Sequence, residues 1–387
     1  MKIIHVSDLH LGLRLHKFDL HEEQKDMLDQ IANLAQSEKA GALIIAGDVF
    51  HTAMPDSESI DMLDDFLTKM AAMQVPVVMI AGNHDSASRV AYGGRLMERQ
   101  GIHVAGRYKG SVPFVDIENE EGKKPVRIHL LPYLRPGDVK LVDPEVKPGW
   151  DAAFERALQD ANLLEDAFNI LVSHQFFAGG TTSESERATV GTLDQISTSL
   201  LEPFDYAALG HLHKAQNVSK GKGRYCGTLL RYSASELAGQ KTFTVLDIDD
   251  EIKVNLIPFT PLRDFVTLEG TFEELMSPEF RKKHRTDNFL ALSILDTCRT
   301  ANAHEKLSEF YPRICKLDYP KLERKAVSSA SGKGLDQLSD MEIFSKFFEE
   351  QSGHEMDDGL KEKLESMWLA IRSGADTQET GENYEAD

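Results

Sequence analysis

Apolar and β-branched residues in this 387-residue chain gather into short uninterrupted runs, each followed at once by small and polar residues. The runs KIIHV, ALIIA, PVVMI, NILV and YAAL are too short for helices and do not alternate, so they predict strands buried on both faces. Amphipathic stretches lie between them. In DSESIDMLDDFLTKMAAM, Ile60, Leu63, Leu67 and Met70 share one helical face, with Asp56 or Ser57 as cap. Later runs around RYCGTLL, KTFTVLDID and IKVNLIPF predict antiparallel strands, with an Asp-Asp turn between the last two. Over residues 1–258 this pattern predicts an α/β fold, a layered α-β-β-α sandwich of two sheets covered by helices.

Beyond residue 258 the pattern changes. Residues 259–326 read as a small α/β unit: PLRDFVTLEGTFEELM is a strand then a helix, NFLALSILD a strand, and ANAHEKLSEFYP a helix ending before Pro312. Residues 327–338, with SSASGKG, compose a linker. Residues 339–372 carry two helical patterns. The first opens at a capping box, Ser339 with Glu342, and holds Ile343, Phe344, Phe347 and Phe348; the second places Leu360, Leu364, Met367, Trp368 and Ile371 on one face. Such aromatic-rich segments outside a large core suit docking on a partner. Residues 373–387 read as an acidic disordered tail.

Length predicts two or three domains. No run approaches the roughly 20 apolar residues needed to cross a bilayer, and the opening MKIIHVSD reads as a strand rather than a signal peptide. Cys226, Cys298 and Cys315 are few and widely spaced, as reduced thiols of a cytoplasmic protein would be. A net charge of −20 disfavours a polyanionic partner, although much of the excess lies in the C-terminal fifty residues. Arg14, Lys17, Arg89, Arg95, Arg99 and the segment RKKHR from Arg281 supply local positive charge, and strong unaided DNA binding is not expected. No GxxxxGK[ST] segment exists in the chain, so ATP dependence would have to come from another subunit.

The chemistry lies where the strand runs end. Asp8 and His10 follow the first run, Asp48 the second, Asn83, His84 and Asp85 the third, His174 the fourth, and His211 and His213 the fifth. Loops on a rigid sheet can bring such residues to one point. Asp-x-His and Gly-Asp are weak signals alone, because caps and turns use the same residues. GNHD and GHLH are stronger, since turn formation gives no reason for their histidines. Two adjacent divalent ions need a carboxylate between them with His, Asp and Asn around it. Mixed oxygen and imidazole donors without cysteine suit manganese, iron or catalytic zinc, with manganese the first choice.

This series, D-x-H, G-D, G-N-H-D, H and G-H-x-H, resembles the calcineurin-like metallophosphoesterases. SDLHLG, AGDVFHT, GNHDSASR, SHQFFAGG and GTLLRYSASE resemble the SbcD family of nuclease subunits, the bacterial counterpart of the double-strand-break repair nuclease. The likeness is strong through the first 260 residues and continues diffusely to YPRICKLDYPKLE. It implies that Asp8, His10 and His213 hold one metal, that Asn83, His174 and His211 hold the other, and that Asp48 bridges them. It makes His84 a catalytic residue whose ring Asp85 orients, and His51, Arg14 and Arg89 candidate DNA contacts. Many bacterial members carry an acidic residue where His51 stands. Leu229 and Ala234 also depart from the family pattern, without touching a ligand.

The implied activity is a Mn²⁺-dependent double-strand exonuclease and single-strand or hairpin endonuclease of DNA repair and recombination. Residues 259–326 would cap the DNA, and residues 339–372 would dock on an SbcC-like ATPase with a long coiled coil. Two copies would pair within a heterotetramer, with Met62, Phe66 and Met97 at the pairing surface. Two other readings stay open: a metallophosphoesterase for phosphoproteins or small phosphodiesters, and a non-catalytic scaffold. Of the other histidines, His5 and His129 are expected half-buried within strands, and His16, His21, His103, His284, His304 and His354 at the surface.

Overall fold

In a computed structural model of the chain, residues 1–183, 195–237 and 239–322 are described, with scattered positions between 341 and 367. The five runs are strands, and they divide between two six-stranded sheets. In the first sheet Lys2–Val6, Ala42–Ala46, Val77–Ile80 and Ile102–Ala105 lie parallel. Thr242–Ile248 and Ile252–Pro258 complete it as an antiparallel hairpin beside Lys2–Val6. The second sheet has Val126–Leu131, Phe168–His174 and Tyr206–Gly210 in parallel at its centre.

Burial explains why these runs are apolar throughout. Ile3, Ile44, Val78 and Ile80 of the first sheet pack with Ile128, Ile170, Val172 and Ala208 of the second in one buried cluster. Each such side chain contributes about 1.5–3 kcal/mol relative to exposure. The outer face of the first sheet carries the helices His21–Ser37 and Ser57–Ala72 through Met27, Ile31, Leu63 and Met70. Helix Trp150–Leu158 packs Phe154 and Ala157 on the outer face of the second. The result is the expected α-β-β-α layering.

Several expectations change in detail. The run RYCGTLL, expected antiparallel, supplies Gly223–Tyr225 to the second sheet, antiparallel to Gln216–Val218 but parallel to Tyr206–Gly210. Asp56, not Ser57, caps the helix, its Oδ1 accepting from Ser59 N at 2.8 Å. The buried face of that helix is Ser59, Leu63, Phe66 and Met70, so Ile60 is left 48 % exposed. His5 and His129 are fully buried, because both faces of each sheet are covered.

Strands Phe265–Gly270, Phe289–Ile294 and Ile314–Asp318 form a third sheet. Phe265, Phe289 and Ala291 belong to the same buried cluster as Met27 and Ile31, and Arg263 pairs with Glu22 and Glu23 of the first helix. Residues Met1–Ser293 with Asn302–Asp318 make one compact unit. A second unit comprises Ile294–Ala301 and Tyr319–Asp387. Within it Met341, Phe344, Ser345 and Phe348 are helical, as are residues 359–361, 363–364 and 366–367, and Met356 is buried. The expected linker 327–338, the Ser339 cap and the tail 373–387 lie outside the described residues.

Candidate metal centre

Parallel order puts the C-terminal ends of the five strands on one edge of the sandwich, where side chains from both sheets meet. Backbone hydrogen bonds lock the first two loops together: Asp8 N donates to Gly47 O at 3.0 Å, His10 N to Asp48 O at 3.0 Å, and His51 N to Leu11 O at 3.0 Å. His211 N donates to Asp8 Oδ1 at 3.0 Å, tying the second sheet's loop to the first sheet's. Asp8, His10, Asp48 and His211 all have positive φ. Non-glycine residues held in that region signal a backbone constrained by its surroundings, as at functional sites. Gly47 also has positive φ, and a Cβ there would overlap the His174 ring.

Two foci result. In one, His10 Nε2 and His213 Nε2 are 3.0 Å apart, with a carboxylate oxygen of Asp8 within 4.8 Å of both imidazoles. In the other, Asn83 Oδ1 lies 3.1 Å from His174 Nε2 and 2.9 Å from His211 Nδ1. Asp48 stands between them. Its Oδ1 accepts from His84 N at 2.9 Å, while Oδ2 lies 3.2 Å from His174 Nε2 and 3.8 Å from His10 Nε2. All seven of these side chains except Asn83 are buried, and Asn83 is half-buried.

The donor set fits cations. His174 Nδ1 lies 2.8 Å from the Ala46 carbonyl, which can only accept, so Nδ1 carries the proton and Nε2 presents a lone pair. That lone pair faces two further acceptors, Asp48 Oδ2 and Asn83 Oδ1. Acceptors turned on one another require a positive charge between them. Without a metal the charge is a proton: burial lowers the His174 pKa, but Asp48 outweighs it and raises it to about 9. Burial acts to raise Asp48, yet His174 and His10 hold its carboxyl far below the usual range. Burial and His174 drop His211 to about 3, and burial holds His10 well below the imidazole range.

The residues expected around the metals are placed differently from one another. His84 stacks on His51 with ring centroids 5.5 Å apart and stands 5.0 Å from the His10 ring. Its Nδ1 meets the His51 carbonyl at 2.9 Å, so that carbonyl orients the ring, not Asp85. The Asp85 carboxylate instead accepts from Val49 N at 3.1 Å, Phe50 N at 2.9 Å and Gly82 N at 2.8 Å. It clamps the second and third metal loops together. Burial and the Asp48 charge push it up to about 6. Arg14 and Arg89 are exposed, and each guanidinium bonds a backbone carbonyl, Lys17 O and Ala53 O respectively.

Other residues meet the centre without having been singled out in the sequence, although Ser7 lies in SDLHLG and Tyr232 and Glu236 lie in GTLLRYSASE. Gln24, from the first helix, donates to His10 O at 2.7 Å and accepts from Gly12 N at 3.0 Å; Tyr232 Oη donates to Leu9 O at 2.9 Å. Ser7 Oγ donates to Asp8 Oδ2 and touches Cys226 Sγ at 3.0 Å. Glu236 Oε1 stands 3.8 Å behind His213 Nδ1. Ser7 beside Asp8 and the helical offset of Gln24 from the first loop are local signals; the contacts of Tyr232 with Leu9 and of Glu236 with His213 join residues far apart in sequence.

The family model of calcineurin-like phosphoesterases matches residues 1–215, and that of the type 5 capsule protein repressor C-terminal domain matches residues 261–352. The D component of nuclease SbcCD from Staphylococcus epidermidis is 27 % identical over 374 residues, covering 95 % of this chain and 98 % of that protein. Among solved structures, TT1561 of Thermus thermophilus is 13 % identical with a TM-score of 0.38, covering 66 % of this chain and 98 % of its own. A dimetal phosphatase from Danio rerio is 12 % identical with a TM-score of 0.34, covering 67 % and 99 %. With more than half of its length matched by the first family model, the chain belongs to the calcineurin-like phosphoesterases.

Proposed function

We propose that the chain is the nuclease subunit of an SbcCD-type complex, hydrolysing DNA phosphodiesters at a pair of divalent cations. One observation carries this reading: Asp48 Oδ2 stands between a His10–His213–Asp8 focus and a His174–His211–Asn83 focus. Asp8, His10, Asp48 and His213 would hold one cation, and Asp48, Asn83, His174 and His211 the other. Oxygen and imidazole donors without thiolate favour Mn²⁺. When bound, the pair supplies Lewis-acid activation of water and neutralises charge on the transferred phosphoryl group.

The chain's own residues do the rest. The His84 amide fixes Asp48 so that Oδ2 serves both foci. The His51 carbonyl keeps the His84 Nδ1 proton in place, leaving Nε2 to give or take a proton at the leaving 3′ oxygen. His51 itself, stacked on that ring, is the DNA-contact candidate nearest the chemistry. Arg14 and Arg89 are retained as outer contacts to the phosphate backbone.

DNA is the proposed substrate, and an SbcC-like coiled-coil ATPase the proposed partner, docked through residues 339–372. Likeness along nearly the whole Staphylococcus protein supports both. Residues 259–326 are assigned to positioning DNA, and the complex to the cytoplasm. Among the described residues no helix is long and apolar enough to cross a membrane. The proposed assembly is a homodimer within a heterotetramer, with Phe66 away from the pairing surface because its side chain is buried in its own core. A groove of about 410 Å³ lined by Ile60, Leu67, Tyr92 and Met97 suits that pairing better.

The test is cleavage of end-labelled duplex and hairpin DNA with Mn²⁺, with and without the ATPase and ATP, against His84→Asn. Hydrolysis of small phosphodiesters but not DNA would move the chain to the general phosphoesterase reading.

A further inference from the structure

His213 and His174, one from each focus, are backed by different chemistry. His174 Nδ1 donates to a neutral acceptor, the Ala46 carbonyl. Behind His213 stands a carboxylate. Glu236 Oε1 is 3.8 Å from His213 Nδ1, while His213 Nε2 meets His10 Nε2 at 3.0 Å. The Glu236 side chain is 1 % exposed, and a buried carboxylate persists only when paired and hydrogen-bonded. Both conditions hold. Thr228 Oγ1 donates to Oε2 at 2.9 Å, Ser233 Oγ to Oε1 at 3.1 Å, and Lys241 Nζ pairs with Oε2 at 2.8 Å.

Lys241 fills its remaining donor positions on Thr228 Oγ1 at 2.7 Å and on the His213 carbonyl at 3.3 Å. The cluster therefore bonds the His213 backbone carbonyl and places a carboxylate behind its ring. The acceptors of these contacts are Glu236, Thr228 and the His213 carbonyl. A gap of 3.8 Å is longer than a hydrogen bond. Coordination through Nε2 makes the Nδ1 proton more acidic, and Glu236 is the acceptor in place for it.

We propose that Glu236 is a positioning residue for the Asp8–His10–His213 focus: it fixes His213 with the proton on Nδ1 and Nε2 directed at the cation. Lys241 is its counter-ion, holding the carboxylate in place and moderating the charge that reaches the imidazole. The inference rests on the two-cation reading of the site and adds an asymmetry to it. One focus is backed by a charged acceptor and the other by a neutral one, so the two cations bind with separable affinities, and Glu236 governs one of them.

The test is a titration of the metal-free full chain with Mn²⁺ alone, with free ion followed by electron paramagnetic resonance. For Glu236→Gln, one of two affinities should fall about 10- to 100-fold while the other stays within about twofold. In the metal-free variant, nitrogen-resolved imidazole spectra should show His213 passing from the Nδ1–H tautomer to a mixture, which a merely structural role would not produce. If the single variant does not fold, the double variant E236Q/K241M, which leaves no unpaired charge, decides by the same readouts. Two affinities both unchanged, or both lowered together, would overturn the inference while leaving the two-cation reading intact. A wild-type chain that takes up fewer than two Mn²⁺ would overturn both.

Discussion

Replacing Asp85 by alanine separates a loop clamp from a partner of His84. The carboxylate is the acceptor for three amides, Val49, Phe50 and Gly82. Each buried donor left without an acceptor costs about 1–3 kcal/mol, so the middle of the range for three is about 6 kcal/mol. Against this, burial and Asp48 raise the Asp85 carboxyl to about 6, roughly two units above its ordinary 3.8. At pH 7 keeping it ionised therefore costs about 3 kcal/mol, which alanine relieves. The net expected loss is about 3 kcal/mol of unfolding free energy, read as a lower urea midpoint of metal-free protein at unchanged slope. His84→Asn, whose ring makes one hydrogen bond at the site's edge, should stay within about 1 kcal/mol. Asp85→Ala protein as stable as wild type but inactive would refute the clamp and return Asp85 to His84.

Three further outcomes follow from the geometry. His84→Asn should lower DNA hydrolysis at least about 100-fold while two Mn²⁺ still bind, checked by turnover and metal titration together. Metal-free protein should lose stability between pH 6.5 and about 9. The His174 pKa is raised to about 9 in the fold, so its stabilising proton is fully bound below 6.5 and lost as pH rises through 9. The effect is on the order of 3 kcal/mol, and a flat urea midpoint across that window would remove His174 as the proton holder. Gly47→Ala would drive a methyl into the His174 ring at a left-handed φ and should weaken Mn²⁺ binding at the His174 focus; unchanged titration would show the loop yields.

What the sequence made legible was local. Each strand run and the polar cluster after it sit within a few residues, so the positions of Asp8, Asp48, His174 and His211 at strand ends could be inferred. Their convergence needed only parallel order in each sheet. The buried face of Ser57–Ala72 is rotated from the expected one, because Phe66 rather than Ile60 enters the core with Leu63 and Met70. His5 is expected half-buried within its strand, yet its Nδ1 meets Tyr206 Oη at 3.1 Å between the sheets. Asp85 was assigned to its sequence neighbour, whereas two of its three donors lie 35 and 36 residues away. The strand in RYCGTLL is legible and so is its antiparallel side, whereas its parallel pairing with Tyr206–Gly210 depends on tertiary contacts rather than a turn.

The central claim is that one oxygen of Asp48 serves two cations. Diffraction from crystals soaked in Mn²⁺, with anomalous signal at the manganese edge, tests it directly. The account predicts two peaks about 3.5–4 Å apart with Asp48 Oδ2 bound to both. A single peak, or a pair with Asp48 touching only one, would contradict it.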